Sequence, residues 1–194
     1  MLRHGETEWN REGRMQGGLD SALTALGRAQ AEGMGRVLAS LGVSPGSHLA
    51  LTSPQGRARA TARLALGPLG LEAAPDPLLR EIGMGEWAGL SFSEIAAGWP
   101  GPAGEPLLDF YARAPGGEGL DALWERVGAV LARLHGPAVV VTHGLTSRFL
   151  RARALGWPPA RLMELPGGQG VVHRVRGGQH LTLEPDLATN PDGA

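Results

Sequence analysis

The sequence contains no cysteine and no lysine, and each absence removes whole classes of chemistry. Without cysteine there is no disulfide, no thiolate nucleophile and no cysteine-bound zinc. All 18 basic residues are arginines. A P-loop lysine, a Schiff-base lysine and a pyridoxal-phosphate site are therefore excluded as well.

The chain also lacks an excess of charge of one sign and a long hydrophobic run. Its formal net charge is −1 and its pI is about 6.6, which argues against a broad nucleic-acid or membrane surface. No apolar run approaches the roughly 18 residues of a membrane span, and the N-terminus shows no signal region. We therefore expect a cytoplasmic protein with no nucleic-acid or membrane partner.

The length and composition predict one soluble globular domain, since the chain has 194 residues and 42% of them are hydrophobic. Strand-like apolar runs alternate with helical patterns, which is typical of an α/β domain with a mostly parallel sheet. We predict this domain over residues 1–184 and a polar tail over 185–194. The predicted helices are 23–41, 53–66, 120–134 and 144–155, and the predicted strands are 48–52, 138–142, 171–175 and 180–183.

Between the strands, repeated glycines and prolines predict an irregular excursion over residues 82–119 that could cover a site. Short helical pieces are expected there at 91–97 and 106–112. Its aromatic residues are candidates for an apolar cap over a ligand, although core packing is expected for at least two of them. They are Trp87, Trp99, Phe110 and Tyr111.

The N-terminal stretch Arg3-His4-Gly5 predicts a site of phosphoryl transfer. An imidazole attacks phosphorus only when the charge of the phosphate is neutralised, and an adjacent guanidinium grips phosphate oxygens with a planar fork. We expect Gly5 to let the backbone approach the anion. Taken alone, three residues are a weak motif, and a surface histidine beside a charge is an equal alternative.

Two further residues follow predicted strands, where the ligands of open α/β sheets bind. His143 comes directly after strand 138–142, and Arg57 lies in the first turn of a helix that Ser53 and Pro54 are expected to begin, as N-cap and first helical residue. A cation at that position is unfavourable to the helix dipole unless an anion compensates. The structural alternatives are a solvated helix face for Arg57 and a buried core histidine for His143.

The remaining histidines, His48, His135, His173 and His180, have no spacing that implies a metal site. No H-E-x-x-H motif or cluster of aspartate and histidine is present, so two-metal hydrolysis is not expected. The sequence therefore predicts chemistry without a metal or other cofactor.

With these residues in view, the chain resembles the histidine phosphatase superfamily, also called phosphoglycerate mutase-like, over nearly its whole length. The blocks that carry the resemblance are Arg3-His4-Gly5-Glu6-Thr7 with Asn10, Gly13-Arg14-Met15-Gln16-Gly17, Leu23-Thr24-x-x-Gly27-x-x-Gln30-Ala31, Ser53-x-x-x-Arg57-Ala58-x-x-Thr61-Ala62, Glu81-x-x-x-Gly85-x-Trp87-x-Gly89 and Thr142-His143-Gly144.

The resemblance implies a three-layer α/β/α fold and a covalent mechanism without a cofactor. His4 would be the nucleophile that becomes a phosphohistidine, and Glu81 would be the proton donor. Other residues would bind the phosphoryl group: Arg3, Arg57 and His143 through their side chains, Asn10 and Gln16 as lining of the pocket, and Gly17 and Gly144 through their backbones.

Within the superfamily the sequence favours a phosphatase that acts on small phosphorylated metabolites, with inorganic phosphate as a ligand. Between Glu81 and His143 there is no arginine pair resembling the one with which cofactor-dependent mutases grip a second phosphate or carboxylate. The blocks look most like the broad-specificity phosphatases. A phosphoglycerate mutase stays open, as does an inactive relative that binds phosphorylated ligands, although retention of His4 and Glu81 argues against the latter. A homodimer is also left open.

The sequence departs from the family at two places. Only Met1 and Leu2 precede Arg3, so the first strand is expected to be stunted or to begin upstream of Met1. In Gly116-Gly117-Glu118-Gly119, a glycine stands where the family usually has a serine that caps the next helix. As a cap, glycine costs only about a few tenths of a kcal/mol against serine.

Overall fold

A computed structural model describes residues 1–185 of the protein, so the predicted tail lies outside the described residues except for Pro185. Its sheet has six strands in the order β3-β2-β4-β1-β5-β6. The strands are β1 (Leu2–Arg3), β2 (Leu49–Thr52), β3 (Ala74–Pro75), β4 (Ala138–Thr142), β5 (Val172–Arg176) and β6 (Gln179–Leu183). Pairing is parallel from β3 to β1 and antiparallel for β5 and β6, which confirms a mostly parallel sheet.

The α-helices lie close to their predicted positions, with ends that differ by a few residues. They are α1 (Glu8–Arg11), α2 (Ala25–Ser40), α3 (Gly56–Leu66), α4 (Phe92–Gly98), α5 (Leu107–Ala112), α6 (Leu120–Leu131) and α7 (Gly144–Ala154). Thr24 caps α2, because its hydroxyl accepts a hydrogen bond from the backbone N–H of Gly27. The sequence did not indicate α1 or the two-residue strand β3.

Alternation along β4 divides the core between the two faces of the sheet, because neighbouring side chains of a strand point to opposite sides. Val139 and Val141 pack with α2 and α3, whereas Val140 packs with α6 and α7. The β-branched run Val139-Val140-Val141 is thus buried on both sides. This arrangement confirms the predicted three-layer α/β/α fold.

The first strand is short, as expected, yet it lies in the middle of the sheet. Leu2 pairs with Val141 of β4 on one side and with Val172 of β5 on the other. Its side chain is fully buried. Two neighbouring strands therefore hold β1 in place, and the chain leaves its carboxyl end at His4.

The predicted start of α3 at Ser53 and Pro54 is wrong. The helix begins at Gly56, and its N-cap is Gln55, whose side chain makes no capping bond. Instead, the Asp20 carboxylate accepts from the backbone N–H groups of Gly56, at 2.6 Å, and Arg57, at 3.2 Å. The helix is thus capped from a distant loop, which a local cap pattern cannot predict.

The excursion contains α4 and α5, and most of its aromatic side chains belong to the core. Trp87 is fully buried, with the rings of Phe110 at 4.8 Å and Trp99 at 6.2 Å. Tyr111 instead faces a cavity at the carboxyl end of the sheet. Gly119 is the N-cap of α6 with φ of +80°, a conformation in which a serine would be strained.

Candidate active site

The carboxyl ends of β1, β2 and β4 meet beside a cavity of about 260 Å³. A second cavity of about 220 Å³ adjoins it, and Arg3, Glu81 and Tyr111 line both. The predicted site residues that line the first cavity are Arg3, His4, Asn10, Gln16, Gly17, Arg57 and Glu81. Gly144 lines the second cavity.

His4 follows β1 and is 3% exposed. Its Nδ1 lies 2.8 Å from the carbonyl oxygen of Gly5, an arrangement that requires a proton on Nδ1 and leaves the lone pair on Nε2. Burial, followed by the charges of Arg3 and Arg57, holds the pKa of His4 well below its usual value. The ring is therefore neutral at physiological pH, and Nε2 is available as a nucleophile.

Gly5 was predicted to let the backbone approach a bound anion, but its contacts in the structure are with other parts of the protein. Its backbone N–H donates to the Thr61 hydroxyl at 3.0 Å, so that group is already engaged. A Cβ on Gly5 would lie 2.1 Å from the carbonyl oxygen of Gly27 in α2. The missing side chain lets the His4 loop pack directly against that helix.

Arg57 lies beside His4, and its Nε–H donates to His4 Nε2 at 3.3 Å. The rest of the guanidinium is held by the loop that precedes α2, through the Gly17 carbonyl at 3.0 Å, the Leu19 carbonyl at 2.5 Å and the Asp20 carboxylate at 2.8 Å. Asp20 is therefore an anion that compensates this cation at the start of α3. Burial lowers the pKa of Arg57 and Asp20 opposes that shift.

Arg3 presents its guanidinium to both cavities, and its Nε is buried without a hydrogen-bond partner among the described residues. Burial lowers the pKa of Arg3, and the charge of Glu81 opposes that shift. Gly144 packs beside it, and a Cβ at that position would be in ordinary van der Waals contact with the Arg3 Cζ, at 3.4 Å. A buried donor without a partner costs about 1–3 kcal/mol, which a bound oxyanion would recover.

His143 is fully buried beside His4, with 5.2 Å between the ring centroids. It is the one predicted site residue that lines neither cavity. Its Nε2 is 2.7 Å from the Ser53 hydroxyl, and its Nδ1 has no partner among residues 1–185. Burial, followed by the charge of Arg57, holds the pKa of His143 well below its usual value.

Glu81 is held at the junction of the two cavities by the first turn of α7. Its Oε1 accepts from the backbone N–H of Thr146 at 3.1 Å and from the Thr146 hydroxyl at 2.8 Å. Within residues 1–185, its Oε2 accepts one longer bond, from the Leu145 N–H at 3.3 Å. The first turn of α7 thus fixes the position of Oε1, and Oε2 is the oxygen with the weaker hydrogen bond.

Asn10 and Gln16 complete the wall of the first cavity next to Thr7. Gln16 donates to the Thr7 hydroxyl at 2.8 Å. Asn10 Oδ1 accepts from the Thr7 N–H at 3.2 Å and from the Gln169 side chain at 3.0 Å. The amide of Gln169 also donates to the His4 carbonyl, at 3.3 Å, so it connects a distant loop to His4.

Among residues 1–185, no three histidine, aspartate or glutamate side chains are grouped so as to hold a metal ion. No helix in that same part of the chain is both long and apolar enough to cross a membrane.

Comparison with known proteins agrees with this geometry: residues 1–182 match the histidine phosphatase superfamily (branch 1). The chain belongs to this family. A probable phosphoglycerate mutase of Klebsiella pneumoniae, GpmB, is 38% identical over 166 residues, which are 81% of this chain and 74% of that protein. The resemblance inferred from the sequence blocks is thereby confirmed.

Solved structures of the family show the same fold. The alpha-ribazole phosphatase from Shigella flexneri has a TM-score of 0.75 and 28% identity, covering 95% of this chain and 93% of that one. The mycobacterial glucosyl-3-phosphoglycerate phosphatase has a TM-score of 0.74 and 31% identity, covering 90% and 89%.

Several residues at the site were missed by sequence reasoning. Ser53 was interpreted as a helix cap, although it contacts His143. Asp20 and Gln169 lie in loops with no periodic pattern, and only the surrounding glycines marked those loops as turns. Arg148 lies one turn into α7 and lines the second cavity, but in the sequence it resembles any helical arginine.

Proposed function

We propose that the protein is a metal-independent phosphatase that hydrolyses small phosphomonoesters through a phosphohistidine on His4. The observation that carries the proposal is the neutral, buried imidazole of His4, whose Nε2 lone pair accepts a hydrogen bond of 3.3 Å from Arg57, a bond that a phosphoryl oxygen would take over when substrate binds. Arg3 and Glu81 line the same cavity. Nucleophile, cations and a carboxyl group thus converge on one small space, which suits phosphoryl transfer.

In the first half-reaction, His4 Nε2 attacks the phosphorus of the ester. The N–P bond forms as the P–O bond to the alcohol breaks, and a proton passes from the Glu81 carboxyl group to the leaving oxygen. Arg3 and Arg57 stabilise the charge on the equatorial oxygens. His143 contributes a hydrogen bond from its Nδ1. These residues supply the electrostatic stabilisation that a metal ion supplies in other phosphatases.

In the second half-reaction, water attacks the phosphorus of the phosphohistidine. The N–P bond breaks, inorganic phosphate leaves, and the Glu81 carboxylate takes the proton of the water. His4 returns to its neutral state and Glu81 to its protonated state. One carboxyl group therefore serves both steps, as acid and then as base.

The arginines near the excursion support a phosphatase over a mutase, because each is already paired. Arg80 and Arg126 both bind Glu118, Arg113 binds Glu105, and Arg133 binds Asp76. Arg113 also lies 4.7 Å from the centre of the Trp87 ring. None of these four side chains is free to grip the second phosphate of a bisphosphate, so small monoesters are the proposed substrates.

A phosphoglycerate mutase is the second candidate, and the similarity to GpmB of Klebsiella pneumoniae favours it. The solved neighbours bear the names of phosphatases. The two activities differ in the acceptor of the phosphoryl group, which is water in one and a second metabolite in the other. A mutase would need a bisphosphate primer, whereas the proposed phosphatase needs none.

The experiment that tests the proposal traps the intermediate. Brief reaction with a phosphate-labelled monoester, followed by an alkaline quench, should leave acid-labile phosphate on His4. His4→Ala should remove both the label and turnover, whereas the exposed His135→Ala serves as the matched control. Undiminished hydrolysis by His4→Ala would disprove the covalent mechanism. Bisphosphate-dependent interconversion of 2- and 3-phosphoglycerate would favour the mutase, and tight binding without turnover would favour an inactive relative.

A further inference from the structure

The second cavity shares Glu81 with the first cavity but is not lined by His4, and Ser147 and Arg148 of α7 form part of its wall. A proton donor must contact the leaving oxygen of the ester. If Glu81 is that donor, as in the proposed function, the alcohol portion of a bound ester lies at the junction of the two cavities. The second cavity, about 220 Å³ in volume, is then the space open to the alcohol.

This space has a surplus of positive charge. The guanidinium of Arg148 makes its one hydrogen bond within residues 1–185 to the Met163 sulfur, at 3.5 Å, and it enters no ion pair there. Glu81, the single carboxylate in the lining, is engaged by the first turn of α7. Arg148 is therefore a cation without a counterion in the described part of the protein, and its charge faces the cavity.

A second arginine lies behind the wall of the cavity, one turn further along α7. Arg151 is 1% exposed and donates to the carbonyl oxygens of Ser147 and Pro166 rather than to a carboxylate. Burial, followed by the charge of Arg148, lowers the pKa of Arg151 to about 10. The side chain is still protonated at physiological pH, so this part of α7 attracts an anion.

Uncharged donors line the same cavity. Ser147 is 1% exposed, and its hydroxyl has no hydrogen-bond partner among the described residues. Burial raises the pKa of Tyr111 to about 12, so its hydroxyl keeps its proton and can donate. A buried hydroxyl without a partner carries a desolvation cost that a bound ligand would offset.

We propose that the second cavity binds a carboxylate on the alcohol portion of the substrate, with Arg148 and Ser147 as specificity residues. The planar guanidinium fits a carboxylate with two parallel hydrogen bonds, and the Ser147 hydroxyl supplies a third donor. Substrates of this class are short phosphorylated hydroxy acids. The proposal rests on the proposed function for the position of the phosphate.

The test compares 3-phosphoglycerate with glycerol 3-phosphate, in which a hydroxymethyl group replaces the carboxylate. We expect the wild-type kcat/KM to be at least tenfold higher for the acid. Arg148→Met should reduce this ratio about tenfold, mainly through the KM for 3-phosphoglycerate, and Arg148→Lys should retain part of it. Arg36→Met, which removes an exposed arginine of α2, should leave the ratio unchanged. Ser147→Ala, which removes one hydroxyl, should reduce it about threefold and provides a second variant if Arg148→Met does not fold.

Calorimetric titration of the two esters into His4→Ala separates this proposal from the proposed function, because it needs no turnover. We expect 3-phosphoglycerate to bind at least tenfold more tightly, and Arg148→Met in that background to abolish the difference. Equal affinities, or equal kcat/KM values for the two wild-type reactions, would overturn the carboxylate subsite and leave the phosphatase proposal intact. Selective binding without hydrolysis by the wild-type protein would support the subsite and overturn the phosphatase.

Discussion

The Ser53 hydroxyl lies 2.7 Å from His143 Nε2, closer than its 3.3 Å distance to the side-chain oxygen of Gln55. The shorter distance favours donation from Ser53 to the histidine. An Nε2 that accepts this bond places the ring proton on Nδ1, the buried nitrogen without a partner in the described residues. Ser53 thus orients His143 so that Nδ1 carries the proton that the proposed mechanism donates to a phosphoryl oxygen.

We therefore predict that Ser53→Ala lowers kcat about tenfold, the effect of losing a hydrogen bond of about 1.4 kcal/mol in the transition state. Inhibition by inorganic phosphate should weaken as well, because His143 would no longer be held as a donor. Steady-state kinetics with the exposed Ser47→Ala as control measures both effects. A folded Ser53→Ala protein with unchanged kcat would show that Ser53 does not set the tautomer.

Glu81→Gln should slow esters with a poor alkoxide leaving group more than it slows p-nitrophenyl phosphate. The nitrophenolate leaves with little help from a proton, so the loss of rate for the alkyl ester divided by the loss for p-nitrophenyl phosphate isolates the acid role of Glu81. We expect this ratio to exceed about tenfold. The exposed Glu86→Gln is the matched control. Equal slowing of both esters would remove Glu81 as the leaving-group acid.

Activity should survive extensive treatment with a chelator, because Arg3, Arg57 and His143 are proposed to supply the charge stabilisation. The measurement is the hydrolysis rate before and after dialysis against the chelator. A loss of activity that magnesium, manganese or zinc specifically restores would contradict the proposed mechanism.

The free energy of unfolding should fall as the pH drops below about 6.5, which is the pKa of a histidine in the unfolded chain. The pKa values of His4 and His143 are held well below that value in the folded protein. The unfolded state therefore binds more protons in this range, and acid favours unfolding. Each histidine contributes a loss of roughly 1 kcal/mol between pH 7 and pH 5.5.

Urea unfolding at these two pH values tests this linkage. His4→Gln should reduce the pH-dependent loss of the free energy of unfolding by about 1 kcal/mol, whereas the exposed His135→Gln should leave it unchanged. The same loss in both variants would mean that His4 is not held neutral in the folded state.

The sequence by itself determined the fold class and the family of this protein. Hydrophobic periodicity is local, so the run Val139-Val140-Val141 indicated a buried strand and the spacing of apolar residues indicated the four main helices. His4, Arg57 and His143 could be placed at the same edge of the sheet because parallel strands present their carboxyl ends together. Glu81 was identified as a site residue only through the family resemblance, because a single glutamate belongs to no local sequence pattern.

Only the tertiary structure decided how these residues are held. The cap of α3 comes from Asp20, the orientation of His143 from Ser53, and the position of Glu81 from Thr146. Each contact joins segments far apart in the chain, and it depends on distances and directions that no local spacing encodes. For the same reason, the cavity beside Arg148 could not be predicted from the sequence, because it is formed by the packing of α7 against the rest of the site.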